Sequence, residues 1–487
     1  MKRQSWFEVS QKGLAQLQGP RPKSNILREL CQNCFDEGIT TCRVETEKNG
    51  RSVIIRVIDD APEGFRDITH AYTLFDYTHK RSDVSKRGRY NLGEKLAISN
   101  CLEAYVRTTK GTVFFNADGT RELRRRRQDK TDAGTIVSLK VAMTKEELDE
   151  ALRMARKFFP PKGVGYIVNG TRIPFREPFR VLGNAYLQTE EYDQNIGSMR
   201  RTWKFTDVHL HEPLPGEVST LYEMGIPIQE VSDTWHLDVQ QKCPMTMDRD
   251  SVLPGYLREL RTFVLDRTVE QLPDAEVGKE WVREATRTIS IKAETLRAIA
   301  DKRWGENRFV ADPSDPRSID EARAHGYTQV QGGELDKDEW ESFRKSGMIR
   351  PSSHYFPTLI VDREDELPEK DWTWEMRVVA RYARLIAQKT LNKEIEVRII
   401  RNPRLPSGTY QANSGILTLN RGKLEPAWWA SGISEEVTDL LLHELGHEGG
   451  AHTEHGYHKT LTKIAAKLVM LVKEQSWLIQ DLTRLED

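Results

Sequence analysis

Residues 41–59 read TCRVETEKNGRSVIIRVID, two alternating apolar and polar runs joined by Asn49-Gly50. Alternation with period two places every second side chain on one face of a strand, and Asn-Gly accepts the positive φ of a tight hairpin turn. The pair must therefore fold as an antiparallel ribbon with one apolar face in need of cover. Residues 28–38, RELCQNCFDEG, predict a helix on which Leu27, Leu30, Cys31 and Cys34 form one stripe. Beside that stripe, Glu29, Asn33 and Asp36 fall at i, i+4 and i+7, a second, polar line on the same helix. Further strands follow at AYVRTT, GTVFFN, RELRRRR and GTIVSLKV, with Asp118-Gly119 as another hairpin turn, so an α+β unit is expected to end near residue 143.

At 487 residues the chain exceeds one ordinary core. The helix KEELDEALRMARKF leads into a strand-rich stretch over 160–255 with a hairpin turn in GYIVNGTRI. Two long helical patterns come next. Between 303 and 355 the periodicity weakens, and frequent Asp, Pro and Gly predict a linker or small subdomain. The last part predicts a helix near 372–392, strands EIEVRII and GILTLN, the helix EEVTDLLLHELGH, and a final helix from about 458. With a net charge of −1 there is no global pull toward nucleic acid or anionic lipid, so nucleic-acid contact would need a local patch. RELRRRR at 121–127 is either such a phosphate-contacting stripe or an exposed hairpin arm. No apolar run approaches about 18 residues, so no membrane span is expected, and the basic start lacks an apolar signal core. The five cysteines are odd in number and without framework spacing, which suits a reducing compartment and a cytoplasmic location. Cys31-x-x-Cys34 lies inside a helix pattern rather than after a strand, against a redox role.

Four features recur in a telling order: ELCQNCFDE on one helix, DAPEGF at a strand end, the glycine-bounded turn GRYNLGEK opening a helix, and AGT before a strand. This order resembles the GHKL ATPases, a group that includes gyrase B subunits, Hsp90 chaperones, histidine kinases, MutL and MORC proteins, and the likeness covers about the first 145 residues. The resemblance implies ATP and Mg²⁺ as ligands. Glu29 would orient or deprotonate the attacking water, and Asn33, one turn on, would coordinate Mg²⁺. Asp60 would accept the adenine amino proton with support from the Thr135 hydroxyl, and Asp36 would be structural or touch the adenine side. Gly64, Gly88, Gly93 and Lys95 would shape and line the phosphate turns. Pro62 and Asn91 depart from the family's glycines; Asn tolerates a left-handed φ. The stretch after 145 resembles the transducer domain of the same families, whose lysine reports the γ-phosphate. Lys242, in DVQQKCPMTMDRDSV, is the candidate against an ordinary loop lysine. The resemblance further implies a nucleotide-dependent homodimer, with the Trp6 segment as an exchanged arm.

Five of the twelve histidines lie in LLHELGHEGGAHTEHGYH. His443 and His447 stand at i and i+4 with Glu444 beside the first, an HExxH arrangement that grips Zn²⁺ between two imidazoles and leaves a glutamate to take a proton from bound water. This resembles the minimal SprT- and WLM-like zincin metallopeptidases, with His452 or His455 as third ligand; His452 is favoured because Tyr457-His458 then matches the aromatic position that follows it. Trp428-Trp429 is expected to pack near the metal helix. The implied whole is a multidomain α+β chain: a Bergerat-type ATP-binding α/β sandwich (1–144), an S5-like transducer (145–275), a helical connector and linker (276–355) and a zincin-like domain (356–487). Its expected function is an ATPase whose nucleotide state regulates a zinc metallopeptidase acting on a protein substrate. The alternative is a chaperone-like or DNA-associated ATPase with a structural or binding zinc module, or a mobile-element or phage-defence factor using either chemistry.

Overall fold

The computed structural model describes residues 22–482 together with 13 and 16, apart from positions 77–79, 81–82, 90, 194, 247–250, 313–314, 357–364, 404, 413 and 451–454. The chain forms two compact units, Met1–Ala298 and Ile299–Asp487, so it divides inside the stretch 276–355 expected to connect domains.

Unit 1 begins with helix α1 (Ser24–Phe35), followed by β1 (Thr41–Asn49) and β2 (Ser52–Asp59). Asn49 pairs with Ser52, so the hairpin loop is Gly50–Arg51 and only Gly50 takes a positive φ, of 59°. That places glycine at the first central position, the type II′ pattern rather than the Asn-Gly type I′ turn expected from the sequence. Then come the short helix α2 (Gly93–Ser99), β3 (Glu103–Thr108), β4 (Gly111–Phe115), β5 (Arg121–Arg124), β6 (Thr135–Ala142), α3 (Lys145–Arg156), β7 (Gly165–Val168) and β8 (Thr171–Ile173). The eight strands form one sheet in the order β5-β4-β3-β6-β2-β1-β7-β8. β7 joins β1 in parallel, Thr41 opposite Gly165, so the first sheet continues past the expected boundary at 144. Val53, Ile55 and Val57 on β2 share a core with Leu27, Leu30 and Cys31 of α1. Each buried leucine of this kind contributes about 1.5–3 kcal/mol. This packing fixes the rotation of α1 and hence the direction of its polar line. Cys31 and Cys34 are free thiols within that core.

A second sheet comprises β9 (Arg180–Asp193), β10 (Ser198–His211), β11 (Thr220–Glu223), β12 (Ile226–Glu230) and β13 (His236–Val239), in the order β12-β11-β13-β10-β9. The helix Pro254–Thr268 follows.

In unit 2, β14 (Arg308–Val310) and β15 (Thr328–Val330) pair in parallel, with helices Pro316–Ala324 and Lys337–Lys345. The stretch read from sequence as linker or small subdomain thus carries regular elements. Its Asp and Pro residues act as helix starts: Asp315 caps with Pro316 at the first turn, and Asp336 forms a capping box with Glu339. A second part has helix Trp374–Ile386, the sheet β16 (Glu396–Ile400), β18 (Ile416–Asn420) and β17 (Gly408–Gln411) in that spatial order, helix Glu435–Gly446 and helix His455–Asp481. Trp429 is buried in its core. Among the described residues no helix is long and apolar enough to cross a membrane.

Candidate functional site

A cavity of about 640 Å³ opens in unit 1 between α1, the end of β2 and the turn before α2. Glu29 and Asn33 line it from α1, and Gly64, Gly88, Gly93, Lys95 and Thr135 line it from the loops and from the ends of α2 and β6. The Glu29 carboxylate is buried against Gly93: a Cβ added there would stand 1.9 Å from Glu29 Oε2. A side chain at this position would have to displace the Glu29 carboxylate from where it now stands.

The cavity-lining acid at the end of β2 is Asp59, whereas Asp60 lies outside the cavity lining. Asp60 Oδ1 accepts from the main-chain N–H groups of Thr40 (2.8 Å) and Thr41 (3.0 Å), and Oδ2 accepts from the Thr40 hydroxyl. Its carboxylate ties the turn after α1 to the sheet. Asp59 Oδ1 accepts from Ala61 N (3.0 Å) and from Thr135 N (3.2 Å), so Thr135 supports Asp59 through its main chain and not Asp60 through its hydroxyl. Burial raises the Asp59 pKa against the pull of those two N–H groups. Gly134, at φ 75°, lets the strand come this near, since a Cβ would meet Asp59 O at 1.9 Å. Parity was the signal for Asp59. Val53, Ile55, Val57 and Asp59 are successive odd positions of one strand, so the acid continues the buried face. Pro62 leaves the loop intact, because Ala61 O accepts from both Gly64 N (2.9 Å) and Gly134 N (2.8 Å) while Pro62 is exposed.

Asp36 is fully buried and does not line the cavity. Its carboxylate receives Arg87 N (3.0 Å), Arg87 Nη1 (2.9 Å) and Gly88 N (2.9 Å), holding the glycine turn from below. From the other side Arg89, missed in the sequence, donates to both oxygens of Glu223 (2.9 and 2.6 Å), to Glu190 (3.1 Å) and to Cys243 O (2.9 Å). The turn is thus pinned between α1 and the second sheet. Asn91 takes φ 51°, and its side chain donates to Thr73 O (3.0 Å) and accepts from Lys95 Nζ (2.7 Å). Burial lowers the Lys95 pKa. Lys242 does not line the cavity. It is fully buried, and its ammonium donates to Lys80 O (2.8 Å) and Asp83 O (2.9 Å), fastening the main chain of both residues to the loop after β13. Burial, aided by the nearby Arg89, brings its pKa down to about 8.

In unit 2, the rings of His443 and His447 lie 5.8 Å apart on one helix. The Tyr457 hydroxyl lies 3.3 Å from His443 O, to which it can donate, and 3.2 Å from His443 Nδ1. His447 Nδ1 faces Gly450 O at 3.2 Å and must be the donor there. A donor at His447 Nδ1 fixes the tautomer and orientation of that ring, as the outer hydrogen bond of a metal-binding imidazole does. Glu444 is buried beside Gly408, and burial pushes its carboxyl up to about 7. Of the expected third ligands, His452 lies outside the described residues, and so does the side chain of His455. The arrangement fits two nitrogens of a zinc ligand set with an acid next to them.

No family model and no curated protein matches this sequence. Among solved structures the chain is similar to the ATPase region of Saccharomyces cerevisiae topoisomerase II, with 9% identity and a TM-score of 0.32 over 49% of this chain and 82% of that one.

Proposed function

We propose that unit 1 binds and hydrolyses ATP with Mg²⁺. The observation that carries this reading is the convergence of Glu29 and Asn33, one helical turn apart, on a single cavity whose other wall is the Asp59–Thr135 pair. In this reading Asp59 accepts the adenine amino proton, and Glu29 orients water and takes its proton. The Asn33 amide oxygen fits Mg²⁺, which takes few protein ligands; the ion, when bound, neutralises phosphate charge. Phosphate release from the full chain tests this: Glu29→Ala should abolish turnover while ATP binding, measured by calorimetry, persists. Turnover surviving that change overturns the assignment.

We further propose that the helix Glu435–Gly446 and its C-cap His447 carry a zinc-dependent peptidase acting on a protein substrate, under control of the nucleotide state. The four-residue spacing of His443 and His447, with rings 5.8 Å apart, and the buried Glu444 support it. Zinc would polarise the scissile carbonyl, while Glu444 holds the proton in transit. One zinc per chain that is lost in His447→Ala is the expected result of metal analysis. A purely structural zinc module, as in a chaperone-like or DNA-associated ATPase, has no use for Glu444. ATP-dependent dimerisation of the chain is tested by light scattering with a non-hydrolysable ATP analogue. The Trp6 arm lies outside the described residues.

A further inference from the structure

The second sheet holds a group of side chains that the ATP cavity does not use. β10 and β13 pair antiparallel, with His209 opposite Asp238 and His211 opposite His236. Paired residues and those two apart along a strand share a face, so all four side chains stand together. His236 is already engaged: Nδ1 accepts from Thr220 N (3.0 Å) and Nε2 meets Glu217 Oε2 (3.1 Å). The other three differ. His209, His211 and Asp238 each present a donor atom, and these atoms lie within 4.8 Å of one another.

His211 is the informative member. It is 4% exposed, and neither ring nitrogen has a hydrogen bond of normal geometry; the Glu177 main chain exerts only a weak pull on the ring. An imidazole always carries at least one N–H, so an ordinary core histidine would be expected to satisfy it. Phe159 covers the ring at 4.6 Å. Asp238 is the opposite case, a buried carboxylate already aimed. Its Oδ1 accepts from Gly225 N (2.7 Å) and its Oδ2 from Gln240 Nε2 (2.7 Å), and each oxygen retains a lone pair. Outer hydrogen bonds of this kind fix the direction of a ligating carboxylate.

We propose that His209, His211 and Asp238 bind a divalent transition-metal ion, zinc foremost, at a site separate from the His443/His447 helix. Two imidazoles and one carboxylate suit zinc or its neighbours, while calcium and magnesium require more oxygen ligands. Bonds of about 2.0–2.1 Å to zinc need donors roughly 3.3 Å apart, so small side-chain rotations close the set. The strand register supplies the rest of the geometry. Three protein ligands leave one position for water. The site also has a mechanical consequence. Asp238 holds Gly225 N, Gly225 O accepts from Phe159 N (2.9 Å), and Met224 O accepts from Arg87 Nε (3.1 Å). A metal on Asp238 therefore stiffens the Met224–Gly225 turn, which receives an arginine from the glycine turn of the ATP cavity.

The test uses the full-length chain carrying His443→Ala and His447→Ala, so that any metal bound tightly belongs elsewhere. Titration with Zn²⁺ alone, followed by desalting and elemental analysis, should leave one equivalent per chain, and Co²⁺ alone should give visible absorption bands of a nitrogen–oxygen site. Adding His209→Asn, at a half-buried position, should remove that equivalent and those bands; Asp238→Asn should do the same. Circular dichroism identifies a variant that fails to fold. If Asp238→Asn does so, His209→Asn carries the test; if both do, the zinc and cobalt titrations of the folded double variant decide it. Failure of the folded double variant to retain either ion overturns the proposal, as does retention of the full equivalent after a folded His209→Asn or Asp238→Asn. Neither result depends on ATP binding or on peptidase activity.

Discussion

Replacing Asp59 by asparagine separates the two acids at the end of β2. Both main-chain donors on Asp59, Ala61 N and Thr135 N, address Oδ1, whereas Oδ2 has only the Cys34 thiol at 3.7 Å among its hydrogen bonds in the described residues. An asparagine with its oxygen in the Oδ1 position keeps both main-chain bonds, and removing a buried charge relieves desolvation. Stability should therefore change by no more than about 1 kcal/mol. Ligand binding should change far more. The new Nδ2 is a donor where the adenine amino group needs an acceptor, and a hydrogen bond to a charged partner is worth about 1.5–3 kcal/mol. At about 1.4 kcal/mol per decade, ATP affinity should fall roughly 10- to 100-fold. Affinity for inosine triphosphate, which has a carbonyl at the same ring position, should fall less or rise. Asp60→Asn loosens only the Thr40–Thr41 turn and should leave ATP affinity within about twofold. Calorimetric titration of both variants with both nucleotides, beside thermal melts, reads all of this. Unchanged ATP affinity in Asp59→Asn, or a large loss confined to Asp60→Asn, refutes the placement of adenine at Asp59.

Gly134→Ala should destabilise unit 1 by about 2–4 kcal/mol, seen as a lowered melting temperature, because the residue has φ 75° and its Cβ would strike Asp59 O. Lys242 adds a pH signature. Its folded pKa, about 8, lies below the ordinary 10.5, so between those values the unfolded chain binds the extra proton and stability rises with pH. The buried ammonium thus costs stability below pH 8, by on the order of 3 kcal/mol at most. Melts from pH 7.5 to 10.5 should show that rise in the unmodified chain and not in Lys242→Met; parallel curves would contradict it. Lys242→Ala should also lower ATP turnover more than ATP affinity, since Lys242 does not line the cavity itself but holds the main chain of Lys80, which does. Glu444→Gln should remove peptidase activity yet leave zinc content and folding unchanged; peptidase activity that survives would exclude the proposed proton role.

Much of the first sheet was legible because β2 and β3 alternate and the hairpin turns carry Gly or Asn, whereas β5 is exposed along its whole length. The polar line on α1 could be read from spacing alone, and the cavity contains two of its three members. Asp36 was beyond that reach: spacing puts it on the line, but whether it meets ligand or Arg87 depends on a loop about fifty residues later in the chain. Asp59 and Asp60 illustrate a different limit. The motif pointed to the second acid, and the strand parity that points to the first was present in Val53, Ile55 and Val57. The elements of 303–355 were obscured because their Asp and Pro residues are caps, which resemble linker composition until the helix behind them is seen. Arg89 and the His209–His211–Asp238 group depend on contacts across elements, which periodicity does not encode.

The pairing of β7 with β1 and the grip of Glu190 and Glu223 on Arg89 bear on how such a chain can be inherited or rebuilt. A fragment cut at residue 144 would bare one side of β1 and strip Arg89 of both the carboxylates that pair with it and the sheet that carries them. Recombination that exchanged only the first 144 residues would deliver a cavity whose rear wall belongs to the donor. The cavity and the second sheet are therefore expected to be inherited as one cassette, in which losing Glu223 alone would leave Arg89 buried with one of its two counter-charges missing.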